Sequence, residues 1–314
     1  MKLVFCGTPS FAVPTLKAVL RAGHEVALAV TQPDRPRGRG MQLVVPQVKE
    51  TAIAAGIPVV QPEKIKNNAD FRSRLEAIAP DAVLVVAYGR IIPRWMLDLP
   101  RFGNLNLHGS LLPKYRGAAP VQWAVANGEP TTGVTTMRLD EGLDTGDMLL
   151  QREMAIAPDQ TAEDLFPRLA EMGAALMVKT LEGLSSGTIT PQKQDDSLAT
   201  NAPILTRDDG RMDFTHPAMT IYNRWRGFQP WPGAWTLLGG KKLTAHRLMP
   251  MEPSALSGGP ADPGAVRIED GRLYVRCGER TWLELVEIQL EGKKRMPAAD
   301  FLRGHALQTG DRLG

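Results

Sequence analysis

The protein has 314 residues, of which 43% are hydrophobic and 23% charged, and this composition excludes a disordered or fibrous chain. No apolar run approaches the roughly 18 residues that cross a bilayer, and the segment after Lys2 is too short for a signal peptide, so we expect a cytoplasmic protein. Cys6 and Cys277 form no CxxC motif, which argues against a disulfide scaffold and a structural zinc site, and we expect no metal. A chain of this length predicts two domains.

The first half of the sequence alternates short β-branched runs with segments of helical spacing. The predicted strands are 2–5, 26–30, 59–60 and 82–86, and the predicted helices are 11–22, 48–55 and 70–78. Strands separated by helices indicate parallel βαβ crossovers. We therefore predict a Rossmann-like, doubly wound, mostly parallel α/β sheet in a domain of residues 1–184. The turn Gly7-Thr8-Pro9 lacks the GxGxxG pattern, which disfavours dinucleotide binding.

A basic segment follows the second predicted strand. Residues 34–41, here called the arginine loop, carry Arg35, Arg37 and Arg39 between prolines and glycines. Such a segment has no apolar face to bury, so we expect it to be solvated.

A strand with polar residues on one face ends at a glycine in the sequence NLNLHGS, which spans 104–110. Residues two apart in a strand share a face, so Asn106 and His108 are predicted to point the same way, opposite Leu105 and Leu107. An amide can donate to a developing oxyanion while an imidazole moves a proton, which suits chemistry at a carbonyl. The same spacing equally fits a histidine whose ring nitrogens are simply satisfied at the strand end.

Four carboxylates stand within eight residues in DEGLDTGD, which spans 140–147. Their spacing lacks the alternating ligands and terminal Glu of an EF-hand loop, which disfavours calcium. An aspartate that reaches His108 would hold the imidazole in one tautomer and stabilise its protonated form. The spacing does not identify which of the four carboxylates does so.

The composition and periodicity of the sequence change after a long helical stretch at 161–181. Residues 185–203 are polar and aperiodic, which predicts a linker. Residues 204–314 contain short strands broken by Gly and Pro, and we predict a C-terminal OB-like β-barrel there. The whole chain has 37 basic and 34 acidic residues, and the excess falls in this last third. The sequence has no obvious excess of amphipathic segments that would indicate oligomerisation, so we expect a monomer.

Two longer runs resemble the signature of the 10-formyltetrahydrofolate-dependent transformylases. They are NLHGSLLPKYRGAAPVQWA at 106–124 and TGVTTMRLDEGLDTGDML at 132–149. Further segments continue the resemblance in order along nearly the whole chain, most closely to the branch of the family that formylates initiator methionyl-tRNA. These segments are 7–16, 23–40, 85–93, 228–235 and 292–302.

The resemblance implies transfer of a formyl group from 10-formyltetrahydrofolate to the α-amino group of methionine on initiator methionyl-tRNA. It implies that Asn106, His108 and Asp144 are catalytic. It places the folate co-substrate against a strand end and two turns, with the following candidate residues: Ala87, Tyr88, Gly89, Ile91, Ser110, Leu111, Leu112, Pro113 and Asp140. It places the arginine loop at the acceptor end of the tRNA, and basic clusters of the C-terminal domain are further candidates: Arg35, Arg37, Arg39, Lys241, Lys293, Lys294 and Arg295.

Three other members of the transformylase family share the Asn-His-Asp pattern. A glycinamide ribonucleotide transformylase would lack the second domain, and a formyltetrahydrofolate hydrolase or a sugar-nucleotide formyltransferase is not expected to have the arginine loop. An RNA-binding protein with an inactive enzyme domain is disfavoured by the intact Asn106, His108 and Asp144. The sequence departs from the family near 203–213, where lysines are common and this chain has Ile204 and Arg207.

Overall fold

The computed structural model describes residues 1–37, 42–251 and 262–314. The helices and strands of the first part of the chain are β1 (Lys2–Gly7), α1 (Val13–Arg21), β2 (Glu25–Val30), β3 (Arg35–Arg37), β4 (Gln42–Val44), α2 (Gln47–Ala54), β5 (Val59–Val60), α3 (Ala69–Ile78), β6 (Ala82–Val86), α4 (Arg94–Leu97), β7 (Asn104–His108), α5 (Pro120–Ala126), β8 (Thr131–Arg138), β9 (Met148–Ala155) and α6 (Ala162–Ser186). Those that follow are α7 (Ala218–Gly227), β10 (Ala234–Leu238), β11 (Lys241–Met251), β12 (Val266–Glu269), β13 (Arg272–Arg276), β14 (Trp282–Leu290), β15 (Met296–Pro297) and α8 (Ala298–Gly304).

The first sheet has seven strands in the order β5-β2-β1-β6-β7-β8-β9. Strands β5, β2, β1, β6 and β7 pair in parallel, whereas β8 and β9 pair antiparallel at one end. From β1 the chain continues to β2 and β5 on one side of β1, and it then returns to β6 on the other side. The boundary between β1 and β6 is therefore a topological switch point. Ligands of open α/β sheets bind at the carboxyl ends of the strands beside such a point. The predicted α/β class is confirmed.

Apolar strands covered on both faces hold this sheet together. All five residues of β6 are buried, as expected for a central parallel strand. One face packs in a cluster with Val4, Leu28 and Phe71. On β7, Leu107 lies so close to α6 that a Cβ added to Gly173 would come within 2.5 Å of the leucine side chain. The apolar alternate residues of β7 therefore anchor the strand, and the polar ones are left for the opposite face.

The second sheet is antiparallel, with strand order β10-β11-β14-β13-β12 and with β15 paired to β14. Its core contains Leu243, Val275, Leu285 and Phe301, all essentially inaccessible to solvent. This antiparallel sheet agrees with the C-terminal OB-like β-barrel that the sequence predicts.

The chain separates into two compact units that are not continuous in sequence. The first comprises residues 1–120, 131–155 and 164–203, and the second comprises 121–130, 156–163 and 204–314. The two short pieces 121–130 and 156–163 were expected in the first domain. Within the second unit, the Trp123 ring packs edge-on against Phe228, with ring centroids 5.3 Å apart. Arg226 donates to the carbonyl oxygen of Gln160 at 2.8 Å.

The structure differs from the linker expected at 185–203. Residues 192–202, here called the strap, belong to the first unit and exchange backbone hydrogen bonds with its other segments. Met148 and Gln192 donate to each other's carbonyls at 2.8 Å, and Ala202 N donates to the carbonyl of Arg116 at 2.7 Å. Polar, aperiodic composition cannot separate a solvated linker from a segment whose polar groups are satisfied by other loops.

Across residues 1–37, 42–251 and 262–314, no helix has the length and apolarity needed to span a membrane.

Candidate active site

Strand β7 carries the polar face on which the site is built. Asn104, Asn106 and His108 share one face of the strand because they alternate with Leu105 and Leu107. Asn104 is structural: its Nδ2 donates to the carbonyl oxygens of Met96 and Leu97 at 2.7 and 3.2 Å.

The Asn106 side chain has a different environment from that of Asn104. The residue is only 9% exposed. In the part of the chain that the structure describes, the side-chain amide of Asn106 forms no hydrogen bond. A nearly buried amide without a protein partner is available to bind a polar group of a substrate.

The His108 imidazole is held from two sides. Its Nε2 lies 2.8 Å from the carbonyl oxygen of Tyr115. Because a carbonyl only accepts, this contact places a proton on Nε2. Its Nδ1 lies 3.6 Å from Oδ2 of Asp144. Nδ1 is therefore the nitrogen without a proton in the neutral ring, and it faces the Asp144 carboxylate.

Asp144 is itself fixed at both its side chain and its backbone. Its Oδ2 accepts from the Gly117 N–H at 2.9 Å, and its carbonyl oxygen accepts from Nε2 of Gln194 at 2.8 Å. The backbone has φ of 53°. Asp and Asn adopt this left-handed conformation more readily than other non-glycine residues.

The candidate folate residues 87–91 form the turn that follows β6. Gln32 Nε2 donates to the Tyr88 carbonyl at 3.0 Å, and the Tyr88 ring is buried. Ile91, by contrast, is 89% exposed, and Leu143 is 69% exposed in the segment 140–147, here called the acidic loop. Leu139, which precedes the acidic loop, packs against the apolar cluster that contains Tyr88. Exposed apolar side chains such as Ile91 and Leu143 suit contact with a flat aromatic ring.

The second group of candidate folate residues, 110–113, is tied to β8 and β9. The Ser110 hydroxyl donates to the Lys114 carbonyl at 2.6 Å, which satisfies it within its own turn. Leu112 N donates to Thr135 Oγ1, and the Leu112 carbonyl accepts from Gln151. Asp140 accepts from Gly142 N and from the Thr145 hydroxyl, so its carboxylate shapes the acidic loop.

The arginine loop begins in regular structure, which the sequence did not predict. Strands β3 and β4 form an antiparallel hairpin in which Arg35 pairs with Val44. Arg35 is exposed, and Arg39 lies outside the described residues. The backbone satisfies its own hydrogen bonds here, which a sequence without an apolar face does not reveal.

An ion pair and amide contacts hold the base of the arginine loop. Asp34 Oδ2 accepts from Lys49 Nζ at 2.6 Å, and its Oδ1 accepts from Gln61 Nε2 at 2.7 Å. The bond from Lys49, followed by that from Gln61, holds the pKa of the Asp34 carboxyl below its usual value. Gln61 also donates to the carbonyl of Gln32, the residue that contacts Tyr88.

The second unit brings its candidate basic residues together at one end of the sheet. Glu291 N donates to the Lys242 carbonyl at 2.8 Å, which sets the turn after β14 beside the start of β11. Lys241, Lys293 and Lys294 are exposed there. Arg295 forms an ion pair with Glu287 at 2.5 Å, and this arginine holds the pKa of the Glu287 carboxyl below its usual value.

Comparison with known proteins places the chain in a family along both units. Residues 1–181 match the family described as formyl transferase, and residues 204–306 match the C-terminal domain of formyl transferase. The chain belongs to the formyl transferase family.

Named relatives cover the whole of this formyl transferase chain. Methionyl-tRNA formyltransferase of Acidobacterium capsulatum is 72% identical over 100% of both chains. Methionyl-tRNA formyltransferase of Koribacter versatilis is 58% identical over 100% of this chain and 99% of its own. Among solved structures, the sugar 3N-formyl transferase WlaRD, in the presence of dTDP and 5-N-formyl-THF, has a TM-score of 0.66 at 17% identity. It covers 94% of this chain and 99% of its own, and it supports the fold alone.

The formyl transferase site includes residues that the sequence analysis did not single out. Tyr115 supplies the carbonyl that orients His108, and Gln194 and Thr200 of the strap contact the Asp144 and Tyr115 backbones. Arg116 is buried in the structure. Its position in the signature run at 106–124 was a signal that the sequence offered for it. Gln194 offered no such signal, because a glutamine in a polar segment is unremarkable before folding.

Among the described residues, no group of three or more His, Cys, Asp and Glu has a metal-binding arrangement.

Proposed function

We propose that the protein transfers the formyl group of 10-formyltetrahydrofolate to the α-amino group of methionine on initiator methionyl-tRNA, giving N-formylmethionyl-tRNA. The amino nitrogen forms a bond to the formyl carbon, the bond from that carbon to the folate nitrogen breaks, and one proton moves from the amine to the folate nitrogen. The observation that carries the proposal is the unpaired Asn106 amide beside a His108 ring oriented by Tyr115 and Asp144.

In this proposal each polar group of the site has one task. Asn106 donates to the formyl oxygen as it gains negative charge. His108 accepts the amine proton at Nδ1 and delivers it to the leaving nitrogen. Asp144 stabilises the imidazolium and keeps the ring in place. A free α-amino group has a pKa of about 8, so a base of modest strength is sufficient near neutral pH.

The substrates are assigned to surfaces of the individual units. We assign the folate to the turn at 87–91, the turn at 110–113 and the acidic loop, where Ile91 and Leu143 expose apolar side chains. We assign the acceptor end of the tRNA to the arginine loop, since arginine pairs with phosphates and purine edges. The exposed lysines at 241, 293 and 294 are assigned to phosphates of the tRNA body. We further propose that the protein acts as a cytoplasmic monomer.

A formyl-transfer assay tests the proposed function. Initiator and elongator methionyl-tRNA are each supplied with 10-formyltetrahydrofolate, and a sugar nucleotide that carries an amino group serves as the competing acceptor. We expect rapid formylation of the initiator alone. Equal transfer to the amino sugar, or none to the initiator, would reject the proposal.

Substitution at Asn106 tests the role of the unpaired amide. One oxyanion donor is worth about 10²- to 10³-fold in rate, so Asn106→Ala is expected to lower kcat by that factor with little change in folate binding. Asn104→Ala is the matched control. It removes an amide from the same strand face, but that amide donates to the Met96 and Leu97 carbonyls. We expect it to lower Tm while kcat stays near wild type. Near wild-type kcat for Asn106→Ala would remove Asn106 from the mechanism.

A further inference from the structure

Both groups that hold the His108 ring sit on strained backbone. Tyr115 has φ of 62° and Asp144 has φ of 53°. Non-glycine residues persist in this conformation only where their surroundings hold them there, and such residues concentrate at functional sites. The source of that restraint is visible in the structure: the Tyr115 N–H donates a hydrogen bond to the strap, and the Asp144 carbonyl accepts one from it.

The Tyr115 side is held by Thr200. The Tyr115 N–H donates to Thr200 Oγ1 at 2.8 Å, and the next N–H, that of Arg116, donates to the Thr200 carbonyl at 2.8 Å. Packing is close along this contact, since a Cβ added to Gly117 would lie 2.7 Å from the Ala202 carbonyl oxygen. Thr200 therefore sets the direction of the peptide whose carbonyl receives His108 Nε2.

The Asp144 side is held by Gln194, whose amide is fully used. Its Nε2 donates to the carbonyls of Asp144 and Gly146, both at 2.8 Å. Its Oε1 accepts from Nε and Nη2 of Arg116 at 3.0 and 2.8 Å. The side chain is buried, with 5% of its surface exposed. One buried glutamine thus joins the backbone behind Asp144 to the residue that follows Tyr115.

We propose that Gln194 and Thr200 are positioning residues for formyl transfer, which keep the Tyr115 carbonyl and the Asp144 carboxylate aligned on the two nitrogens of His108. The inference rests on the proposed function. In this proposal both residues act through the backbone of the two His108 partners and not through contact with the substrates. Their loss therefore acts on kcat, because misplacing catalytic groups by about 1 Å can cost roughly 10²-fold in rate.

Substitutions at Gln194 test the Asp144 side. Gln194→Leu removes every bond of the amide, whereas Gln194→Glu keeps an acceptor for Arg116 and sets a carboxylate against the Asp144 and Gly146 carbonyls. Both are expected to lower kcat about 10- to 100-fold, with the KM for each substrate within threefold of wild type. Asp196→Ala is the control: it removes the ion pair from Asp196, whose side chain is 78% exposed, to Arg116 and leaves Gln194 in place. We expect its kcat to equal that of wild type.

A pair of substitutions at Thr200 tests the Tyr115 side and guards against variants that fail to fold. Thr200→Ser keeps the hydroxyl that accepts from Tyr115 N–H and is expected to keep wild-type kcat. Thr200→Val removes it and is expected to lower kcat about 10-fold at a similar Tm. A purely structural role would lower Tm in Gln194→Leu and Thr200→Val and leave the kcat of the folded fraction unchanged.

The results separate this inference from the proposed function. If wild type does not formylate initiator methionyl-tRNA, the proposed function fails. If wild type is active and the Gln194 and Thr200→Val variants have wild-type kcat, or differ from wild type only in KM, the positioning role alone is overturned. Loss of kcat in Asp196→Ala equal to that in Gln194→Leu also overturns it.

Discussion

At the scale of single residues, the acidic loop shows how local contacts select one carboxylate out of four. Asp140 is engaged by Gly142 and Thr145 within the loop. Glu141 is exposed and lies 3.7 Å from Arg94. Among the described carboxylates, Asp144 is the one that lies beside His108, and its backbone is in the left-handed conformation. The spacing alone left four candidates, and only the family resemblance named Asp144, because this selection depends on a backbone conformation that composition does not encode.

The charge of Asp144 can be tested without disturbing that backbone. Asparagine also tolerates positive φ, and the side-chain oxygen of Asp144→Asn can still accept from Gly117 N–H, so the fold should persist with Tm within about 2 °C. Without the negative charge the His108 imidazolium loses its partner, and we expect kcat to fall by roughly 10²-fold or more. Steady-state kinetics and thermal melting measure the two effects. A kcat within twofold of wild type would show that the carboxylate charge is not used.

At the scale of elements, the predictable parts of the site are those set by periodic pattern. The alternation of β7 placed Asn106 and His108 on one face, and the order of strands and helices predicted the parallel sheet with its ligand crevice. The strap and the β3–β4 hairpin were not predicted. Both are short polar segments stabilised by backbone contacts to residues distant in sequence or across a turn, and such contacts leave no periodic signal.

The arginine loop is the element for which substrate recognition can be separated from chemistry. An arginine that binds phosphate or a base edge contributes about 1–3 kcal/mol, so Arg39→Ala is expected to raise the KM for initiator methionyl-tRNA about 10-fold or more. The KM for 10-formyltetrahydrofolate should change less than about twofold. Arg21→Ala, which alters an exposed arginine in the last turn of α1, is the control and should affect neither. Equal increases for both substrates would contradict a role confined to the tRNA.

At the scale of the whole molecule, each compact unit has its own apolar core, and each core contains one free cysteine. Cys6 belongs to the cluster of the first unit and Cys277 to that of the second. Burial raises the pKa of both thiols, that of Cys277 to about 12. The thiolate is the reactive form, so neither cysteine is expected to react while its unit is folded.

Thiol labelling therefore reports the integrity of each unit separately. In native protein we expect both cysteines to react at least roughly 100-fold more slowly with a disulfide reagent than in denaturant, because reaction requires opening of the core. Cys277→Ala leaves a reporter for the first unit and Cys6→Ala one for the second. Rapid stoichiometric labelling of either variant under native conditions would show that the corresponding core is open.

The strap also has a consequence for the order in which the protein is made. Its contacts span 85 residues from Thr200 to Tyr115 and 50 residues from Gln194 to Asp144. A ribosome synthesises Asn106, His108 and Asp144 well before either strap residue. A nascent chain that already has the complete first sheet therefore still lacks the two residues that hold the backbones of Tyr115 and Asp144, the partners of His108. If the positioning role holds, we expect catalytic competence to arise late in synthesis, and we expect a fragment that ends at residue 184 not to reach it.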